Sequence, residues 1–299
     1  MSKTNKKALP DGSIVALITP FNEDGSVNTD KLRELVEFHI KNGTDGILVL
    51  GTTGETPTMT HEEDDLAVRT VLDAADGRIF VLVGTGSNNS AVMRQKSLDY
   101  QEMGADGLLI ISPYYNKANE EGLYQHFIHT LDAVDIPCVI YNIPGRTGVN
   151  IPASVIGRLS EHPNAAGIKE ASGNISYAAD IAPYLNENFK MYSGNDDMIV
   201  PLLSLGGSGV ISVLANVAPQ ETHDMVQAWM DGDAKKALDL QLKYLDLVRS
   251  LFCEVNPIPV KTAMNMMGFE VGGLRLPLYE MTDKNAARLE ESLKKVDLL

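Results

Sequence analysis

Short apolar runs alternate with amphipathic stretches from one end of the chain to the other. The runs Ile14–Phe21, Gly46–Gly51, Phe80–Gly86, Gly107–Tyr114, Pro137–Pro144, Ala165–Ser172, Lys190–Asn195 and Gly209–Asn216 have the length and near-continuous hydrophobicity of strands buried on both faces. Between them the apolar positions recur at helical spacing. Leu32, Leu35, Val36, His39 and Ile40 form one stripe, and Ala91–Met103, Glu120–Val134, Pro152–Ser160 and Asn174–Asn186 continue the alternation. Thr60 and Glu63 have capping-box spacing, and Glu62, Asp64 and Asp65 add negative charge at the positive end of the helix they open. Regular alternation of strand and helix implies a parallel sheet.

Eight such units of roughly 25 to 30 residues fit an α/β fold of the closed (β/α)8, or TIM, barrel type. An open doubly wound sheet is the alternative, but no Gly-x-Gly-x-x-Gly opens a helix after the first strand. The last strand leaves a further helical stretch, read as Pro219–Met230, Asp233–Cys253, Pro257–Met267 and Asp283–Lys295. The expected organisation is a catalytic barrel over residues 12–231 with a C-terminal helical extension over 232–299.

Composition narrows the setting. Of 299 residues, 44% are hydrophobic and 22% charged, and the formal net charge is −15. A chain this acidic repels nucleic acid and anionic membrane, so neither is an expected partner. Cys138 and Cys253 read as buried reduced thiols, which suits a cytoplasmic location. The start, Met1 to Lys7, is basic with no apolar stretch behind it. No signal peptide is expected, and no run is long enough to span a membrane.

Candidate chemistry starts with Lys169, a lysine inside the apolar segment Ala165-Ala166-Gly167-Ile168-Lys169-Glu170-Ala171-Ser172. Burial disfavours the ammonium and pushes the pKa toward neutrality. The neutral amine is a nucleophile whose usual product with a carbonyl compound is a Schiff base. A lysine at a strand end with its head in water is the alternative. Barrel chemistry gathers where strands end and βα loops begin, and the unusual residues fall there. Gly51-Thr52-Thr53-Gly54-Glu55 follows the second strand and offers hydroxyls and backbone amides to an anion or enolate. Tyr141-Asn142-Ile143-Pro144-Gly145-Arg146-Thr147-Gly148 puts a phenol at the fifth strand end and a guanidinium, able to grip a carboxylate, just beyond it. Ser112-Pro113-Tyr114-Tyr115-Asn116 ends the fourth strand with paired phenols, fit for proton transfer or for packing an interface. Asp196 and Asp197, in Ser193-Gly194-Asn195-Asp196-Asp197, are read as a polar loop that caps the next helix rather than as metal ligands. His126 and His129 are read as a solvated helix face. With no Walker loop, Gly-x-Ser-x-Gly elbow or nicotinamide fingerprint, the expectation is a lysine enzyme that needs no metal and no cofactor.

Taken in order, Gly51–Glu55, Tyr141–Pro144, Gly167–Ala171 and Asn256-Pro257-Ile258-Pro259-Val260-Lys261 resemble the dihydrodipicolinate synthase and N-acetylneuraminate lyase superfamily, from about Gly12 to Leu299. The resemblance implies a barrel enzyme, a lyase that forms a Schiff base between pyruvate and Lys169. It implies Tyr141 as the acid–base phenol, with Thr52 and Tyr115 as its proton relay. Tyr115 is expected to reach a neighbouring subunit, in a dimer or a dimer-of-dimers homotetramer. Thr53 is expected to bind the pyruvate carboxylate, with Gly194 and the backbone carbonyl of Ile211 completing the substrate contacts. Two features favour the synthase branch over the sialic acid lyases: the threonine at the second residue of the Gly-Thr-Thr-Gly-Glu loop, Thr52, where the lyases usually have a serine, and Arg146, which suits the carboxylate of L-aspartate semialdehyde. Leu274-Arg275-Leu276-Pro277-Leu278 also resembles the synthases.

The implied reaction is condensation of pyruvate with L-aspartate 4-semialdehyde to 4-hydroxy-tetrahydrodipicolinate, in lysine and diaminopimelate biosynthesis. The rival readings are an N-acetylneuraminate lyase or a 2-keto-3-deoxy sugar acid aldolase, and a keto-acid-binding barrel without turnover. Tyr114, His61 and Asn88 match the positions where lysine-inhibited members hold the inhibitor. Asp64 and Val92 stand where those members usually carry a histidine and a glutamate. The missing glutamate implies weak lysine inhibition, since a hydrogen bond to a charged group contributes about 1.5–3 kcal/mol.

Overall fold

The structure is a computed structural model in which residues 7–299 are described, so most of the basic start lies outside the described residues. Eight parallel strands close into a barrel in chain order. They are β1 (Gly12–Ala16), β2 (Gly46–Val49), β3 (Phe80–Gly84), β4 (Gly107–Ile111), β5 (Cys138–Asn142), β6 (Ala165–Glu170), β7 (Lys190–Ser193) and β8 (Gly209–Ser212). Seven α-helices lie between successive strands or end at them: α1 (Thr29–Lys41), α2 (His61–Ala75), α3 (Ser90–Met103), α4 (Glu120–Leu131), α5 (Pro144–Thr147), α6 (Ala153–Ser160) and α7 (Ile175–Ile181). Then follow α8 (Ile199–Leu203), α9 (Pro219–Met230), α10 (Ala234–Leu251), α11 (Ile258–Met266) and α12 (Asp283–Lys294). The sequence reading of a (β/α)8 barrel with further C-terminal helices is therefore the fold observed.

The described chain forms two compact units, one of residues 80–211 with the N-terminal segment to Asp11, the other of Gly12–Ile79 and Ser212–Leu299. In the first unit β3 through β7 pair in sequence, with Tyr141 opposite Lys169 and Lys169 opposite Tyr192. Asn89, Asn119 and Asn174 cap α3, α4 and α7 through their side chains, which takes up amides that each helix start leaves without a partner. In the second unit β1 pairs with β2, α10 packs on α9 and α12, and α11 packs on α12. The capping box foreseen at Thr60 and Glu63 is present, with Glu63 N–H donating to Thr60 Oγ1 and Thr60 N–H to the Glu63 carboxylate.

Strand ends differ from the sequence reading. The first apolar run leaves the ladder after Ala16, yet Leu17 and Ile18 are each 1% exposed. They are apolar because they are buried, not because they are paired as strand. Asn216 replaces the missing partners: its side-chain oxygen accepts from Ile18 N–H, and its amide donates to Ala16 O. The helix read as Asn174–Asn186 stops at Ile181 and turns through a single 3-10 turn over Ala182–Tyr184, where Pro183 has no N–H to give. Cys253 lies beyond the end of α10 and is half-buried, unlike the buried Cys138.

His126 corrects another expectation. It faces inward, 5% exposed, while His129 is exposed. His126 Nε2 lies 3.0 Å from Ile111 O and its Nδ1 2.8 Å from Ser90 Oγ. A carbonyl cannot donate, so Nε2 carries the proton and Ser90 donates to Nδ1. Burial holds this imidazole below its usual pKa. It ties α4 to the end of β4 and the start of α3.

Candidate active site

Lys169 lies on β6, 6% exposed, with Nζ 4.5 Å from the centroid of the Tyr141 ring on β5. Two glycines let the neighbouring strand approach. A Cβ at Gly167 would come within 2.5 Å of Lys190 O, and one at Gly194 would meet Lys169 Cε at 3.1 Å and Ala171 Cβ at 2.6 Å. Gly194 is thus required first by Ala171 Cβ, just beyond the neighbouring strand, and also lies close beside the lysine side chain.

The electrostatics move Lys169 toward the free amine. Burial lowers the Lys169 pKa to about 8; Asp196 opposes the shift and Arg146 adds to it. An aliphatic ammonium in water stays protonated to about pH 10, so the environment raises the neutral fraction near pH 7 by two orders of magnitude. The Tyr141 ring, paired opposite on β5, is the aromatic face against which this amine lies. Asp196 is 1% exposed and sits in a 3-10 turn over Asp196–Met198 whose preceding residue, Asn195, makes no side-chain cap. The Asp196 carboxylate acts on Lys169 through charge, raising its pKa against the effect of burial.

Residues on either side of the pair lock the two strands. The buried Glu170 carboxylate accepts from Asn142 Nδ2 at 2.8 Å and from Ser172 N–H at 2.6 Å. Asn142 Nδ2 also reaches Asn150 Oδ1 at 2.9 Å, and Asn142 Oδ1 accepts from Ile151 N–H at 3.1 Å. Burial raises the Glu170 pKa, and the bonds from Asn142 and Ser172 oppose the rise. The register Tyr141↔Lys169 and Asn142↔Glu170 is therefore bolted by side chains as well as by the ladder.

Arg146 is exposed on α5, the short helix that Pro144 starts directly after β5. The Thr147 hydroxyl lies 3.0 Å from both Ile143 O and Val149 O, sharing its one proton between them, and accepts from Val149 N–H, which fixes the loop that carries the guanidinium. Ile211 is fully buried on β8, one residue past Val210, which pairs with Ser193. Tyr115 is not brought onto the lysine: it is 93% exposed, on left-handed backbone with φ 70°. Tyr114 is half-exposed, and its carbonyl accepts from Asn88 Nδ2 at 3.2 Å.

The second unit carries the threonine loop. Thr52–Gly54 make one 3-10 turn, and Glu55 ends it in a left-handed conformation with φ 57°. Thr53 is 2% exposed, and its Oγ1 accepts from Asn256 Nδ2 at 3.0 Å. Glu55 is buried and ion-paired with Lys261 at 2.9 Å, and its second oxygen accepts from Arg275 N–H at 3.0 Å. Lys261 Nζ also donates to Gly273 O. Burial lowers the Lys261 pKa while Glu55 opposes that shift, so a second buried lysine is paired where Lys169 is set toward neutrality. The Arg275 guanidinium binds the Glu63 carboxylate, Gly25 O and Thr58 O. Lys261 and Arg275 both lie against the Phe21 ring, 4.2 and 4.3 Å from its centroid.

The lysine and the phenol singled out in the sequence lie side by side, whereas the charge of Asp196 on Lys169, the strand lock of Glu170 and Asn142, and the support of the threonine loop by Asn256, Glu55 and Lys261 were not anticipated. Their one signal was membership of the motifs without an assigned task. Among the described residues, no group of three or more His, Cys, Asp or Glu is placed to hold a metal ion. None of the described helices is long and apolar enough to cross a membrane.

The pattern of the dihydrodipicolinate synthetase family matches residues 9–296. A 4-hydroxy-tetrahydrodipicolinate synthase of Thermoanaerobacter sp. is 53% identical over 289 residues, 96% of this chain and 97% of its own. The crystal structure of a dihydrodipicolinate synthase from Aquifex aeolicus superposes with a TM-score of 0.94 at 45% identity, covering 96% of this chain and 98% of that one. The chloride-inhibited dihydrodipicolinate synthase from Acinetobacter baumannii, complexed with pyruvate, superposes with a TM-score of 0.95 at 39% identity, covering 97% and 100%. With a family match over nearly its whole length and relatives this similar at full coverage, the chain belongs to the dihydrodipicolinate synthetase family.

Proposed function

We propose that this protein condenses pyruvate with L-aspartate 4-semialdehyde to give 4-hydroxy-tetrahydrodipicolinate, a step of lysine and diaminopimelate biosynthesis, through a Schiff base on Lys169. The observation that carries the proposal is the buried Lys169 amine, its pKa lowered to about 8, lying against the Tyr141 ring. Family membership and the shared name of the relatives support the substrate pair.

The chemistry follows from that amine. Neutral Lys169 Nζ adds to the pyruvate ketone, and loss of water leaves an iminium. The iminium accepts the electron pair released when a methyl proton departs, which gives an enamine. The enamine carbon then attacks the semialdehyde carbonyl, and the new alkoxide takes up a proton. The substrate's own amine displaces Lys169 by transimination, closing a six-membered ring and returning the free lysine. The reactive group is supplied by the lysine itself, so the imine steps call for no resident cofactor.

Each further residue has an assigned part. Tyr141 exchanges protons as general acid and base, with Thr52 and Tyr115 as its relay. Thr53 binds the pyruvate carboxylate. Gly194 gives the lysine room, and the Ile211 carbonyl faces the bound keto acid. Arg146 holds the semialdehyde carboxylate with paired hydrogen bonds; its exposure at the end of β5 supports that role. The 93% exposure of Tyr115 supports a phenol completed by, or donated to, a second copy, in a dimer or a dimer-of-dimers tetramer. A cytoplasmic setting suits thiols that no disulfide joins.

Turnover of pyruvate plus L-aspartate semialdehyde, coupled to dihydrodipicolinate reductase and followed as NADPH loss, tests the proposal. The wild type is expected to turn over and Lys169→Ala to be silent. Tyr141→Phe is expected to fold and to lose about 100-fold or more in rate, the scale of a general acid–base group. A silent wild type that releases pyruvate from sialic acid or a 2-keto-3-deoxy sugar acid would move the protein to the rival aldolases.

A further inference from the structure

The hydroxyl of Thr53 is 2% exposed and accepts from Asn256 Nδ2 at 3.0 Å. A hydroxyl has one proton and two acceptor lone pairs. With an amide N–H already pointing at its oxygen, the threonine proton must point elsewhere, and no described acceptor takes it. The side chain is thus a buried donor with its direction set from behind. Asn256 opens the Asn256–Lys261 motif, 203 residues further along the chain, so this direction is imposed by the segment that follows the barrel strands. The same segment fixes the loop a second time. Glu55, whose left-handed backbone ends the Thr52–Gly54 turn, is paired with Lys261 at 2.9 Å, with both side chains 1% exposed or less. Asn256 sets the hydroxyl and Lys261 sets the turn that carries it.

We infer that Asn256 is a positioning residue for the keto-acid carboxylate: it acts through Thr53, turning that hydroxyl into an obligate donor to an anionic oxygen. This rests on the reading above that Thr53 binds the carboxylate and Lys169 the ketone. An oriented buried donor discriminates for a carboxylate and against a neutral group of the same shape, because the protein does no reorganising when the charge arrives.

The test compares pyruvate with its uncharged analogue pyruvamide, each trapped on the full-length protein by borohydride and read by mass spectrometry against ligand concentration. Asn256→Asp is the informative variant. It keeps the size of the side chain but offers only acceptors, so the Thr53 proton turns back to it. The half-saturating pyruvate concentration is expected to rise by about tenfold to 100-fold, the scale of one hydrogen bond to a charged group, while that for pyruvamide stays within about twofold. Asn256→Ala, Lys261→Met and Thr53→Val serve as companions, with thermal unfolding as the check on folding. Thr53→Val is expected to show the same selective loss, and adding Asn256→Asp to it is expected to cost no more. Unchanged pyruvate saturation in a folded Asn256→Asp protein would overturn the inference. So would equal losses for pyruvate and pyruvamide, the mark of a merely structural role. A wild type that traps neither compound overturns the Schiff-base reading instead, and the two failures are thereby told apart.

Discussion

Lys169 shows how burial and two charged neighbours set the pKa of one residue. Burial removes the stabilising water and lowers the pKa to about 8, Arg146 lowers it further, and Asp196 restrains the fall. Only the neutral amine attacks a carbonyl, so the rate of imine formation with pyruvate is expected to rise with pH and level off above about 8. The signs for the neighbours are opposite. Removing the guanidinium in Arg146→Ala relieves the ammonium of a like charge, raises the pKa and moves the limb to higher pH. Removing the carboxylate in Asp196→Asn moves it to lower pH. Stopped-flow measurement of imine formation across pH 6 to 10 reads both displacements, and limbs that coincide for all three proteins would remove this electrostatic account. The lysine was legible in the sequence because a charge inside an apolar run is conspicuous. Asp196 was not, because its effect depends on folding: it stands 27 residues away, beyond the neighbouring strand β7, and its sequence neighbourhood resembles an ordinary polar loop.

At the scale of elements, the alternation of strand and helix was readable because parallel strands covered on both faces keep unbroken apolar runs. Strand ends were not readable, since Leu17 and Ile18 continue the run outside the ladder under the hydrogen bonds of Asn216. The threonine loop was visible as Gly-Thr-Thr-Gly-Glu, but its supports come from Asn256 and Lys261, and no local pattern links positions so far apart. The α1 stripe was read correctly in its spacing, yet it contains a titratable group. His39 is fully buried, with Nδ1 3.0 Å from Thr44 Oγ1, and burial lowers its pKa to about 3. Between pH 6.5 and 3 the unfolded chain binds a proton there that the folded chain refuses. Stability from this residue is therefore complete above pH 6.5 and falls as pH drops, by about 1.4 kcal/mol per unit within that window. His39→Gln is expected to flatten that component. Urea unfolding of the two proteins at pH 7 and pH 5 measures it, and parallel pH dependences would show that His39 does not contribute.

For the whole molecule, a net charge of −15 opposes the approach of an anion such as pyruvate. Regulation is argued at the same scale. Val92 is 42% exposed, at the position where lysine-inhibited members usually carry a glutamate, and Asn88 is engaged with Tyr114 O and Asn116. An apolar side chain cannot neutralise the ammonium of a lysine ligand. L-Lysine is accordingly expected to inhibit weakly, with Val92→Glu lowering the inhibition constant about tenfold or more. Sub-millimolar inhibition of the wild type would contradict this. The proposed chemistry rests on one nitrogen atom, Lys169 Nζ, and the most direct measurement is a peptide map after borohydride reduction in the presence of pyruvate. The account predicts a single carboxyethyl adduct, on Lys169 and absent from Lys169→Ala. An adduct on Lys261 or another lysine, or none on a folded protein, would contradict it.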